Sequence, residues 1–256
     1  IRDYFRNLVN VFEMTEETFF NHYSSNGSIK ENTFIQEVLS RNQQLKKVVC
    51  EQLSEMPLSN VWIAQNTASW IPSGSTITLS ILNTLRTWNY AEFNKDVQVL
   101  CPTGGFGIDG VPSIAFGASV VNPSKLSFCI VGDLAFFYDM NSIGNRFVGN
   151  NLRIMIVNNG CGVEFKKTYA MSYRLLGEDV DPFVAAKGHF CQKSKDIVKH
   201  FAEDLGFKYF CAHDKDEFNA NIGRFTDVNI KEPIVFEVFV NDSDEAKALN
   251  IIHNRN

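Results

Sequence analysis

The sequence has no Cys-x-x-Cys pair and no clustered Cys/His spacing, although it holds six cysteines, at 50, 101, 129, 161, 191 and 211. That excludes the usual zinc and dithiol redox motifs. Cys129 lies in the apolar run LSFCIVGD, where a thiol behaves as a small hydrophobe, and we expect a reducing, cytoplasmic setting. There is no excess of positive charge: the net charge is −5 and the pI about 5.6. Arg153, Lys166, Lys167 and Lys193 are scattered, so no nucleic-acid partner is expected. No apolar run reaches the ~18 residues of a membrane span, and no signal peptide is visible. Repeats and low-complexity tracts are missing too. The chain opens on Ile1 rather than Met, which suggests a fragment whose preceding part would carry any targeting segment.

What is present is an alternation. Apolar residues make up 45% of the 256, which suits one large α/β domain or one domain plus the remnant of another. Residues 1–57 read as the tail of a preceding domain with a linking helix (IQEVLSRNQQLKKVVCEQL), and 58–256 as the main domain. Within it, NVWIAQNTASWI reads as a helix stopped by Pro72-Ser73-Gly74. TITLSI (76–81) reads as a strand, NTLRTW as a short helix and VQVLC (97–101) as a strand. A turn, TGGFGIDG, leads into the small-residue helix VPSIAFGASVV. KLSFCIV (125–131) and LRIMIV (152–157) are wholly apolar strands around a predicted helix over 135–147. After a long loop (163–192) come helix 194–206, strand 207–212, helix 216–225, strand 233–240 and a last helix after Asn241-Asp242-Ser243. Fully apolar strands alternating with helices predict an α/β fold: a mostly parallel sheet of about six strands with helices on both faces. Ligands bind such sheets at the carboxyl ends of the strands. The loops after 97–101, 125–131 and 152–157 are the first places to look.

The loop after 125–131 is Gly132-Asp133-Leu134-Ala135. Gly132 permits a tight turn, and N–H groups at the following helix start can hold a phosphate. Asp133 beside them would repel phosphate unless a cation bridged the two, which implies Mg²⁺ or Ca²⁺ on oxygen ligands. The loop after 152–157 is Asn158-Asn159-Gly160-Cys161-Gly162, with an amide oxygen and backbone carbonyls of the same kind. Singly, Asp133 reads equally as a helix cap and Asn-Asn-Gly as a plain turn. Both loops leave strands that are expected to lie side by side.

Gly132-Asp133 followed 26 positions later by Asn159 resembles the signature of thiamine-diphosphate-dependent enzymes: Gly-Asp-Gly, a spacer in the mid-twenties, then Asn-Asn. Leu134 stands where most members have glycine. Gly-Asp-Leu is the variant of the menaquinone-pathway 2-succinyl-5-enolpyruvyl-6-hydroxy-3-cyclohexene-1-carboxylate (SEPHCHC) synthases, which GIDG (107–110), GDLAFFYD (132–139) and NLRIMIVNNGCG (151–162) also resemble. The resemblance covers about residues 59–240 and implies the C-terminal, diphosphate-binding domain of such an enzyme, with thiamine diphosphate and Mg²⁺ as cofactors. Carried over, Asp133 and Asn159 match the side-chain metal ligands and the Cys161 carbonyl the backbone ligand. Gly132, Leu134, Ala135 and Gly162 fall in the cofactor-binding loops. Ile108 matches the aliphatic residue that props the cofactor in its bent shape, or is ordinary core. Asp109 is a candidate cap of the next helix, and Gly107 and Gly110 are turn residues. The implied chemistry is decarboxylation of a 2-oxoacid, 2-oxoglutarate being the candidate, followed by transfer to an acceptor.

The pattern departs from the family on the substrate side. Arg86 matches an arginine that can clamp a substrate carboxylate, or is a surface helix arginine. Ile81 and Leu82 replace the family's Asn-Ser pair, Thr103 aligns with a second arginine, and Glu164 interrupts an aliphatic position before Phe165. These departures put isochorismate in doubt as acceptor. The family's activating glutamate lies in an N-terminal pyrimidine-binding domain that nothing here resembles, so this chain is expected to hold half a site, to be inactive alone and to form a homo-oligomer. The five histidines, 22, 189, 200, 213 and 253, are scattered; His189 lies in the long loop, a candidate active-site cover. Competing readings are an acetolactate-synthase-like ligase or simple 2-oxoacid decarboxylase, a non-catalytic cofactor-binding subunit, and a dinucleotide-binding oxidoreductase built on Gly105, Gly107 and Gly110.

Overall fold

The structure is a computed structural model that describes residues 3, 6–26, 33–166, 170–184 and 194–253. The chain divides into two compact units, Ile1–Leu45 and Lys46–Asn256. In the first, helix α1 (Glu16–Asn26) opens on Glu16 and Glu17, which favour the positive end of a helix. Its Phe19 and Tyr23 pack ring to ring at 4.6 Å, and Phe12 meets Phe19 at 5.0 Å. Helix α2 (Thr33–Gln52) crosses the boundary into the second unit.

The second unit follows the expected alternation. Helix α3 (Asn60–Ala68) is capped by Ser59, whose Oγ accepts from the Trp62 N–H. Then come β1 (Thr76–Leu79), α4 (Asn83–Trp88), β2 (Gln98–Leu100), α5 (Val111–Val121), β3 (Ser127–Gly132), α6 (Asp133–Asp139) and β4 (Leu152–Asn158). Short helical pieces α7 (Met171–Leu176) and α8 (Asp181–Val184) lie within the predicted long loop. Helix α9 (Ile197–Asp204), β5 (Lys208–Ala212), α10 (Lys215–Phe225), β6 (Ile234–Phe239) and α11 (Asp242–His253) complete the order.

The six strands form one sheet in the order β2-β1-β3-β4-β6-β5, and every pairing is parallel. Strands β3 and β4 are side by side at its centre, with Gly132 opposite Val157. All seven residues of β4 are buried, as a strand covered on both faces requires. Successive side chains take opposite faces. Cys129, Val131, Ile154, Ile156 and Val235 pack with Val111 and Ala115 of α5 and Val198 and Ala202 of α9. The other face carries an aromatic layer: Phe128 meets Phe225 of α10 at 5.6 Å, and Phe236 meets Phe218 at 5.4 Å. Burying each such side chain contributes about 1.5–3 kcal/mol.

The helix expected over 135–147 divides into α6 and a 3-10 turn, Met140–Gly144. Asn141, Ser142 and Gly144 favour turns over helix interiors. Asp109 does not cap α5, correcting that expectation: the cap position is Gly110 at φ +78°, a conformation open to glycine. Asp139 from α6 takes the role instead, accepting from the Ser113 N–H at 2.7 Å and the Ser113 hydroxyl at 2.8 Å. A Cβ at Gly107 would lie 2.2 Å from the Asp109 carboxylate, the mobile end of a side chain that can turn away, so close packing does not by itself require glycine there.

Candidate functional site

Parallel strands deliver their next loops to one edge of the sheet, and a cleft opens there. It is lined by residues 80–84 after β1, Ile108 after β2, Gly132–Ala135 after β3, and Asn159 and Cys161–Glu164 after β4. Because Gly132 and Val157 are opposite neighbours, Asp133 and the Asn158–Asn159 pair leave the sheet at one level, about 4.8 Å apart in the strand-to-strand direction. The segment after β1 was not among the expected loops. Its place follows from strand order, since β1 lies between β2 and β3, and strand order is not written in local sequence.

Asp133 is the first residue of α6 and only 1% exposed. The cap position is Gly132, whose backbone is extended at φ −76°, ψ 158°. The expected tight turn is therefore not what calls for glycine, and Asp133 is not a helix cap. A Cβ added at Gly132 would meet nothing within 4 Å. Neither backbone nor protein neighbours require a glycine there, but a ligand pressed against the main chain would. The first N–H groups of α6 lack partners within the helix and adjoin this open space.

In the β4 loop both asparagines brace the backbone. The Asn158 Oδ1 accepts from the Gly160 N–H at 3.1 Å and the Asn159 Oδ1 from the Cys161 N–H at 3.0 Å. Gly160, at φ +70°, makes the turn. The Cys161 thiol faces the Asp242 carboxylate at 3.8 Å, so any part it takes at the cleft is through its backbone. Beneath the loop lies a group that sequence reasoning missed. Glu237 of β6 is fully buried, and its carboxylate accepts from the Asn158 amide at 2.6 Å and the Tyr209 hydroxyl at 2.7 Å. Burial, helped by the negative charge of Asp133, raises its pKa to about 7 against the pull of those two hydrogen bonds. The signal was a lone Glu inside IVFEVF, a residue type almost never fully buried without partners.

Ile108 packs partly on the α5 core and also lines the cleft, so the two readings of it are compatible. Ile81 and Leu82 line the cleft, and Leu82 holds a left-handed φ of +65°. Arg86 is not a lining residue. Its guanidinium donates to both oxygens of the Glu164 carboxylate, at 2.9 and 2.7 Å, and Glu164 is the member of the pair that lines the cleft. Thr103 is exposed in the turn after β2 and is not a lining residue. Exposed His200 on α9 and His213, stacked on Phe239 at 4.5 Å, do not line this cleft either; His189 is outside the described residues.

Among the described residues no three His, Cys, Asp or Glu side chains gather to hold a metal. A cation in the cleft would therefore rest on a mixed oxygen set: the Asp133 carboxylate, the Asn159 amide oxygen and a backbone carbonyl at Cys161. Such a set suits a hard ion such as Mg²⁺. With the unfilled space at Gly132, the residues fit a diphosphate bridged by that ion.

No family model matches the chain. Curated relatives do. A 2-succinyl-5-enolpyruvyl-6-hydroxy-3-cyclohexene-1-carboxylate synthase of Bacteroides fragilis is 30% identical over 203 residues, covering 78% of this chain and 35% of the relative. Synthases of the same name from Flavobacterium johnsoniae and Flavobacterium psychrophilum are 26% and 27% identical, each covering 93% of this chain and 38% and 41% of the relative. The chain spans somewhat over a third of the length of these relatives. No described helix is long and apolar enough to cross a membrane. Over most of its length the chain is thus similar to part of the 2-succinyl-5-enolpyruvyl-6-hydroxy-3-cyclohexene-1-carboxylate synthases.

Proposed function

We propose that this chain is the diphosphate- and metal-binding part of a thiamine-diphosphate-dependent 2-oxoacid decarboxylase and carboligase of the SEPHCHC synthase type. The observation that carries the reading is the convergence of Gly132-Asp133 and Asn159–Cys161 from adjacent central strands on one cleft. Asp133, Asn159 and the Cys161 carbonyl would hold Mg²⁺, and the open backbone at Gly132 would receive the diphosphate. When bound, thiamine diphosphate supplies the electron sink for loss of CO₂ from a 2-oxoacid. The protein's share is position and charge: Ile108 supports the cofactor from the α5 side, Leu134 and Ala135 wall the cleft, and Asn158 on Glu237 keeps the metal loop in register. The chain supplies one wall of the site. A pyrimidine-binding domain would supply the other, within a homo-oligomer.

Calorimetric titration of thiamine diphosphate with Mg²⁺ tests this. Saturable binding that needs the metal and disappears in Asp133→Ala is expected. If the protein joined to its pyrimidine-binding partner domain also showed no metal-dependent binding, the reading would fail. The isolated chain is expected to release no CO₂ from 2-oxoacids.

A further inference from the structure

The cleft carries a charge arrangement that bears on which substrates it accepts. Glu164 lies just after β4, in a 3-10 turn spanning Val163–Lys166, with its side chain 20% exposed. Arg86 lies on α4, 78 positions earlier in the chain, with its side chain 50% exposed. Nη1 of Arg86 donates to both carboxylate oxygens of Glu164, and Glu164 is the partner that faces the cavity. The same cleft is lined by apolar Ile81, 4% exposed, and Leu82, with polar Ser80, Asn83 and Thr84 next to them in the chain. An arginine near a cleft is ordinarily the group that captures a substrate carboxylate, because its planar fork matches that geometry. Here the protein presents it with a carboxylate of its own.

We propose that Glu164 is a specificity-determining residue: by engaging Arg86 it keeps carboxylates out of this end of the cleft, which instead receives an uncharged, hydroxyl-bearing part of the substrate. This rests on the reading of the cleft as the substrate-binding site. First, the ion pair brings no net charge, so it gives a charged ligand no Coulombic advantage, while an incoming carboxylate must displace Glu164 or sit against it. Second, an ionised carboxylate only accepts hydrogen bonds and can take about four. It therefore suits a hydroxyl donor and repels another acceptor. The side chains of Ile81 and Leu82 offer a carboxylate no hydrogen bond, and the neutral Ser80, Asn83 and Thr84 carry no charge to replace that of the arginine.

Glutarate, a small dicarboxylate, is the probe. It is titrated by NMR into the full chain as wild type, as Glu164→Gln and as Glu164→Gln/Arg86→Gln, with thermal melting run on each. The expected result is no saturable binding to wild type at millimolar concentrations. Glu164→Gln should bind about tenfold tighter or more, the scale of one charge-assisted hydrogen bond, and the double variant should lose that gain. If Glu164→Gln does not fold, Glu164→Ala is read in its place with the same expectation. Wild type that binds glutarate as tightly as the variant overturns the proposal, and so does a variant that gains nothing. Thiamine diphosphate with Mg²⁺ is titrated into the same samples. Silence there counts against the cofactor reading and leaves the glutarate comparison legible, since that comparison is read between variants at Glu164 and Arg86.

Discussion

The two ends of the central strands treat buried polar groups in opposite ways. At the amino end of β4, Arg153 is fully buried, yet each of its nitrogens meets a main-chain carbonyl: Nε that of Phe225, Nη1 those of Asn150 and Glu232, and Nη2 those of Asp227 and Ile230, all within 3.3 Å. Next to it the Asn151 amide donates to the carbonyls of Ser119, Asn122 and Lys125. These side chains close loops that would otherwise end on orphaned acceptors. At the carboxyl end, two carboxylates, Asp133 and Glu237, are buried close enough to feel each other's charge, and Leu82 holds strained backbone. One end spends its polar groups on satisfying the fold. The other keeps arrangements that lower stability, which is what a binding site costs a protein.

That contrast can be broken by substitution, and the largest effect should come from the amino end. Arg153→Met leaves several buried carbonyls without donors and should cost about 3–5 kcal/mol of unfolding free energy, read by urea denaturation. A loss below about 1 kcal/mol would mean the carbonyls find water instead.

Next comes Glu237. Its pKa is higher in the fold than its ordinary value of 4.5, so its protonated form is favoured by folding. The stability it contributes is fully present below about pH 4.5 and is lost as pH rises through about 7. For a carboxyl raised to about 7, that loss is of the order of 3 kcal/mol. Glu237→Gln should flatten the stability curve between those values, measured by melting across pH. An unchanged pH dependence would show that Glu237 is not the group responsible.

Asp133→Asn tests the same end more gently. It removes a buried charge that raises the Glu237 pKa, and should stabilise the chain by about 1 kcal/mol near neutral pH while abolishing metal-dependent cofactor binding. A variant that loses both stability and binding would place Asp133 with the structural groups. Smallest is Leu82→Gly. Relief of about 1–3 kcal/mol of backbone strain is offset by glycine's own entropy and lost apolar contact, leaving a net gain of about 0.5 kcal/mol. A clear loss would mean that the Leu82 side chain outweighs its backbone.

The sequence made the sheet legible because its central strands are mostly apolar: LRIMIV and KLSFCIV, despite Arg153 and Lys125, allow few alternatives, and VPSIAFGASVV is found as a helix over its whole length. Helix α1 was missed because EETFFNHYSSN buries little and carries no core-facing period; most of its residues are exposed. At the site, Asp133, Asn159, Ile108 and the glycine loops were legible as local patterns after strands. Three things were not: that Ser80, Asn83 and Thr84 line the cleft with Ile81 and Leu82, the Glu237 layer beneath Asn158, and the pairing of Arg86 with Glu164. Each depends on contacts between segments far apart in the chain, which spacing alone does not encode.

The most direct measurement is a crystal structure of the protein grown with thiamine diphosphate and Mg²⁺. The account predicts one cation about 2.0–2.1 Å from an Asp133 carboxylate oxygen, the Asn159 amide oxygen and the Cys161 carbonyl, with the diphosphate against the Gly132 backbone. A cofactor bound elsewhere, or a cation that touches neither Asp133 nor Asn159, would contradict it.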